Sequence, residues 1–234
     1  MELFWKNAVG ILFILFLMVN LVHVCPRKCV GCQNKTGTRG CDKEGWPLID
    51  ADANEVDLSS INFSSCPPDL STNVNLEKVN LSRNLLKSVN YTCFHKDAVL
   101  NVLDLSYNLL TKLPNFTSGA EVQILNLTGN QIVELNPLYL YGLSKVRQLI
   151  LDDNGLDSFS GNELLQDTDM LEILSLRNNK ITTFAVNGTS RLLINAVNLK
   201  ELYLSNNMLL DRNTPWLLGA LNSKFWTSVE PIVQ

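Results

Sequence analysis

Histidine is nearly missing from this chain: there are 2 in 234 residues, His23 and His95. No GxSxG, HExxH or glycine-rich phosphate loop is present. Catalysis needs convergent acid, base or nucleophile groups, so the expectation is a protein that is not an enzyme and carries no cofactor and no metal. Clustered charge of one sign is also missing. With 19 basic and 23 acidic residues the net charge is -4, and no run of Lys and Arg offers a nucleic-acid groove or a basic membrane surface. After residue 24 no apolar run approaches the roughly 20 residues of a membrane span, and no lipid-anchor tail is recognisable. At 46% hydrophobic content the chain is not disordered either, and its length suits one substantial domain.

What is there begins with a targeting segment. Met1 to Asn7 carries Lys6, and the apolar runs Ala8 to Met18 and Val19 to Val24 follow, which reads as a secretory signal peptide over residues 1–24. Val24 is not the small residue usual at a cleavage site, so the cut itself stays open. The alternative is an uncleaved signal anchor, but Asn20 and His23 break a run already short for a span. Either way the chain from Cys25 onward is expected outside the cytosol, secreted, with no stable membrane span after signal cleavage. Seven Asn-x-Ser/Thr acceptors agree with that compartment: Asn34, Asn62, Asn80, Asn90, Asn115, Asn126 and Asn187. So does an even set of six cysteines: Cys25, Cys29, Cys32, Cys41, Cys66 and Cys93.

From Leu76 to Leu209 a pattern LxxLxLxxNxL returns six times. Leu76, Val79, Leu81, Asn84 and Leu86 set the frame, followed by Leu100, Leu103, Leu105, Asn108 and Leu110. Val122, Leu125, Leu127, Asn130 and Ile132 come third, and Val146, Leu149, Leu151, Asn154 and Leu156 fourth. Leu171, Leu174, Leu176, Asn179 and Ile181 are fifth, and Leu199, Leu202, Leu204, Asn207 and Leu209 sixth. The steps are 24, 22, 24, 25 and 28 residues. Six residues before each first leucine stands another apolar residue: Leu70, Phe94, Phe116, Leu140, Leu165 and Leu193.

These columns resemble the leucine-rich repeat family, both the secreted members and receptor ectodomains of the Toll-like type. The resemblance implies an α/β solenoid: a horseshoe with a parallel β-sheet on the concave face and a mostly irregular or short-helical convex side. It also implies that the second apolar column faces inward from the convex side. Cys25, Pro26, Cys29, Cys32 and Cys41 look like this family's cysteine-rich N-terminal cap, placed over residues 25–55. Such a cap covers the apolar edge of a first coil that has no neighbour. The family pairing implies Cys25 with Cys32 and Cys29 with Cys41, although Cys29 and Cys32 depart from the usual CxC spacing. A four-thiolate zinc site is the alternative for this group, disfavoured in an oxidising compartment. Cys66 and Cys93, left over in consecutive coils, are expected to pair.

Residues 56–75 form an irregular first coil, with Val56 and Leu58 in frame and Ile61 in the asparagine slot. Pro67 and Pro68 are expected to keep its return segment extended. The six repeats occupy 76–210, and the return path from Thr182 to Asn198 reads as a surface loop. Residues 211–234 break the pattern and are expected to cap the last coil atypically, with Trp216, Leu217, Ala220, Leu221 and Phe225 as its apolar residues and none of the family's C-terminal cysteines. His95, on a return segment, reads as a solvent-facing loop residue, and Asp152 with Asp153 as exposed charges at a strand end.

Within each repeat the L-x-L core alternates at period two, so leucines face in and the residues before, between and after them face out. Asn84, Asn108, Asn130, Asn154, Asn179 and Asn207 are expected to be structural, meeting backbone groups left open where the strand ends. Function then falls to the outward positions. In the first three repeats these are Lys78, Asn80 and Ser82; Val102, Asp104 and Ser106; Ile124, Asn126 and Thr128. Sugars on Asn80 and Asn126 would crowd that half. The later repeats offer Gln148, Ile150 and Asp152; Ile173, Ser175 and Arg177; Glu201, Tyr203 and Ser205. Ile150, Asp152, Ile173, Ser175, Arg177, Glu201 and Tyr203 are therefore the candidate ligand-binding residues, an apolar and charged mixture with a tyrosine. The competing reading is an inert face of ordinary strand formers. The expected partner is a protein or glycoprotein, with no nucleic acid. The alternatives are a fragment or short form of a membrane receptor ectodomain, innate-immune or neuronal, and a structural matrix protein.

Overall fold

The structure is a computed structural model that describes residues 35–42, 45–116, 120–135, 143–160, 169–185, 198–208 and 228–229. The signal peptide, Cys25, Cys29, Cys32, Asn34, Asn187, Leu140, Leu165, Leu193, Leu209 and nearly all of the C-terminal capping segment lie outside the described residues. Twelve strands are present among those described: β1 (Thr38–Cys41), β2 (Pro47–Ile49), β3 (Glu55–Asp57), β4 (Lys78–Asn80), β5 (Val99–Asp104), β6 (Glu121–Asn126), β7 (Gln148–Ile150), β8 (Ser158–Ser160), β9 (Ile173–Ser175), β10 (Thr183–Ala185), β11 (Glu201–Tyr203) and β12 (Ser228–Val229).

Eight of these make one sheet in the order β3-β4-β5-β6-β7-β9-β11-β12, every neighbour parallel. Each step is one coil, and Val56, Val79, Leu103, Leu125, Leu149, Leu174 and Leu202 are partners in register. Parallel pairing needs a long crossover, which the rest of each coil supplies. Leu81, Leu105, Leu127, Leu151, Leu176 and Leu204 are all 0% exposed. At about 1.5–3 kcal/mol for each fully buried leucine, this column is a main source of cohesion. Leu70, Phe94 and Phe116 of the second apolar column are buried too, and the two phenylalanine rings stand 6.2 Å apart.

The repeated asparagine ties each coil to the one before it. Asn108 Nδ2 donates to the carbonyls of Leu81, Leu105 and Ser106, while its Oδ1 accepts from Leu86 N–H at 3.0 Å. Asn84, Asn130, Asn154, Asn179 and Asn207 repeat that set. Where Ile61 occupies the asparagine slot, Asn84 Oδ1 accepts from both Ile61 and Phe63 N–H. One amide thus serves two turns.

Two further ladders run along the sheet. The residue before each asparagine is left-handed: Arg83, Tyr107, Gly129, Asp153, Asn178 and Asn206, with Ser60 in the first coil, have φ between 54° and 69°. That conformation turns each N–H onto the next coil, so Tyr107 N–H reaches the Thr128 carbonyl at 2.7 Å and Arg83 N–H the Ser106 carbonyl at 2.8 Å. Four successive coils also carry Asp or Asn two residues before Ser or Thr. Asp57, Asn80, Asp104 and Asn126 each accept, through Oδ1, the N–H of Ser59, Ser82, Ser106 and Thr128 at 2.8–3.1 Å. These are side-chain turns that close the strand end.

At the first coil, β1 and β2 form an antiparallel hairpin beside β3, whose Asp57 N–H donates to the Thr36 carbonyl. Gly37 lies there at φ 73°, so close to Glu55 that a Cβ would collide with its carbonyl oxygen. Trp46 packs on Phe63 with ring centroids 5.4 Å apart. Cys41 is disulfide-bonded, and Cys66 joins Cys93 across consecutive coils with Cα atoms 5.6 Å apart.

Several expectations are corrected. Pro67 is extended, but Pro68 opens a 3-10 turn, Pro68–Ser71, because proline at a first helical position loses no hydrogen bond there. A second such turn spans Tyr91–Cys93. The loop expected from Thr182 begins instead with β10, which pairs in parallel with β8 as a small separate sheet. Ser82 and Ser106, assigned outward, are buried, because the side-chain turns fold them under the strand end. His95 keeps its place in a loop, its side chain 30% exposed and its Nδ1 accepting from Asp97 N–H at 3.2 Å.

Candidate binding face

Parallel register converts the outward positions of the last coils into a grid. Gln148, Ile173 and Glu201 form one column, and Ile150, Ser175 and Tyr203 the next. Asp152, Arg177 and Ser205 follow one step further along each chain. Six of the seven candidate residues, Ile150, Asp152, Ile173, Arg177, Glu201 and Tyr203, remain half-exposed on this surface. Their polar groups are joined. The Arg177 guanidinium lies 4.0 Å from the centre of the Tyr203 ring and 3.8 Å from Asp152 Oδ2. The Tyr203 hydroxyl donates to Glu201 Oε2 at 2.5 Å. Ring, guanidinium and carboxylates hold one another in place.

Ser175 differs from the rest. It is 3% exposed, and its hydroxyl donates to Asp152 Oδ1 at 2.6 Å, which also accepts from Arg177 N–H at 2.8 Å. It supports the face and does not present to it. Asp152, expected as an exposed charge, has a side chain only 16% exposed. Here its Oδ1 reaches across from the preceding coil to take the Arg177 N–H, which in the earlier coils would go to an Asp or Asn in the position that Ser175 holds. Asp153 is exposed and accepts from Asn178 Nδ2 at 2.8 Å, and Asn206 Nδ2 continues the chain onto Asn178 Oδ1.

Along the start of the strands a second polar line flanks the grid. Glu172 bridges Arg147 at 2.6 Å and Lys200 at 2.7 Å, so one carboxylate links three coils. Hydrogen bonds from Lys200 and then Arg147 hold its pKa below the ordinary value. At the other end of the sheet, burial raises the pKa of Asp57, but the Ser59 N–H and hydroxyl and the Lys35 ammonium together outweigh it, and the net shift is downward.

The acceptor asparagines divide by setting. Asn62 and Asn90 are exposed, whereas Asn80, Asn115 and Asn126 are half-buried. The left-handed column was missed in the sequence: Arg83 and Tyr107 are not residue types that announce positive φ, although Gly129, Asp153, Asn178 and Asn206 in the same slot are. The turn ladder had a visible signal, Asp or Asn-Leu-Ser or Thr in four consecutive coils.

Residues 99–156 and 198–221 match family models described as leucine rich repeat. A leucine-rich repeat protein of Leptospira interrogans superposes with a TM-score of 0.54 at 22% identity, covering 76% of this chain and 48% of that one. The fold is a leucine-rich repeat solenoid. An uncharacterised leucine-rich repeat-containing protein of Schizosaccharomyces pombe is 37% identical over 124 residues, 52% of this chain and 19% of its own length. The leucine-rich repeat-containing G-protein coupled receptor 5 of Rattus norvegicus is 31% identical over 121 residues, 52% of this chain and 13% of the receptor. Podocan of Mus musculus is 29% identical over 228 residues, 84% of this chain and 36% of podocan. The chain therefore spans well under half the length of each. Among the described residues no helix is long and apolar enough to cross a membrane.

Proposed function

We propose that this solenoid is an extracellular binding module, not an enzyme, and that the concave face of repeats four to six recognises a protein or glycoprotein. The observation that carries the reading is the linked set Asp152, Arg177, Tyr203 and Glu201 beside the half-exposed Ile150 and Ile173. Tyrosine and arginine concentrate binding energy at interfaces, and side chains already locked together lose little freedom on docking. Asp152 and Ser175 act from behind, by fixing Arg177. The test is a screen of secreted and cell-surface proteins with the wild-type chain and with Arg177→Ala/Tyr203→Ala. The expected outcome is a partner whose affinity falls at least about tenfold in the double variant at unchanged melting midpoint. Equal binding by the two chains would remove the patch from consideration.

A second reading places the solenoid within a longer receptor ectodomain. Its support is the receptor alignment, in which 121 residues account for only 13% of the relative. A transcript that continues into further repeats and an apolar span of roughly 20 residues decides for it.

A further inference from the structure

We propose that Arg83 and Tyr107 form a second recognition point, which takes a protein segment presenting an aspartate or glutamate carboxylate next to an aliphatic side chain. Both residues stand in the left-handed column at the strand ends, in consecutive coils. The Arg83 guanidinium lies over the Tyr107 ring, 4.7 Å from its centre. Against the same ring sits Gly129 of the following coil, where a Cβ would stand 2.6 Å from the ring's Cδ1. Glycine here both permits φ 69° and makes a seat for the tyrosine. The ring is thus held before any partner arrives and is still 47% exposed; Leu85, two residues beyond Arg83, is 43% exposed.

The charge identifies the partner. Arg177, the other arginine stacked on a tyrosine among the described residues, is neutralised by Asp152 at 3.8 Å. Arg83 meets no carboxylate among the described residues, and the Tyr107 hydroxyl meets no acceptor among them. A guanidinium and a phenol side by side, both open, suit a carboxylate, which takes two N–H donors and one O–H. Leu85 and the ring edge accept an aliphatic neighbour. A phosphate or a sulfated sugar needs several cations, whereas Lys78, five residues earlier at the start of β4, is already paired with Glu55 at 3.6 Å.

The test pans a random peptide library on the full chain, with Arg83→Gln as the counter-selecting chain. Arg83 is exposed, and its backbone N–H, not its side chain, serves the coil-to-coil ladder, so the variant keeps the fold. The expected result is a set of peptides with Asp or Glu beside Leu, Ile or Val. Their affinity falls at least about tenfold on Arg83→Gln and on Tyr107→Ala, and stays unchanged on Arg177→Ala/Tyr203→Ala. Discriminated peptides without a carboxylate, or a library in which none distinguishes Arg83→Gln from wild type, would overturn the proposal. Loss on the Arg177/Tyr203 variant alone would also overturn it while leaving the repeat-four-to-six patch standing.

Discussion

Asn130 gives the residue-scale argument in its simplest form. Its Nδ2 donates to the carbonyls of Leu105 and Leu127, and its Oδ1 accepts from Leu110 N–H. Leucine of similar bulk leaves these groups buried without partners, at about 1–3 kcal/mol each. Asn130→Leu is therefore expected to lower the denaturation midpoint more than a leucine truncated to alanine at one edge of the core, as urea unfolding will show. A second residue-scale expectation concerns acid. Lys200 and Arg147 hold the Glu172 pKa below its ordinary value of 4.5, so the pairing contributes fully above that pH and is lost as pH falls through the lowered value. The difference in melting midpoint between wild type and Glu172→Gln should vanish on acidification, and shrink with added salt because the cluster is exposed. Both the asparagine and the leucines were legible because one residue type recurs in one slot. The Arg177–Tyr203 stack was not, since it depends on which way two long side chains turn across coils.

At the scale of the element, the strands were legible from L-x-L alternation, and their parallel register from the constant offset between repeats. The reversal of Ser82 and Ser106 from outward to buried was not, because alternation assumes that the strand continues, whereas the side-chain turns of Asn80 and Asp104 end it. The first strand shows how an edge is closed. Gly37 lets the hairpin approach β3, and the Thr36 carbonyl takes the Asp57 N–H. Gly37→Ala adds a Cβ against the Glu55 carbonyl in a backbone conformation that costs alanine roughly 1–2 kcal/mol by itself. Hydrogen exchange should report faster exchange at Asp57 and little change at Leu127, which lies three coils further along the sheet.

At the scale of the whole molecule each coil contacts only its neighbours, so stability is a sum of coil and interface contributions. Leu81→Ala and Leu204→Ala lie on β4 and β11 coils that never touch, and their costs should add to within about 0.5 kcal/mol. Leu105→Ala with Leu127→Ala, in adjacent coils, should depart from additivity. A double-mutant cycle measures both. Tyr107 and the linked grid lie in coils that are not neighbours, so the costs of variants at the two are expected to add. The turn ladder also changes what the glycan acceptors mean. Its slot accepts either Asp or Asn two residues before Ser or Thr, and the four coils carry Asp57, Asn80, Asp104 and Asn126 in it. Whenever that slot holds asparagine, the turn spells an acceptor as a by-product of closing the strand. Asp57 and Asp104 are each one substitution away from adding another, so Asn80 and Asn126 testify to backbone geometry first, whatever they carry.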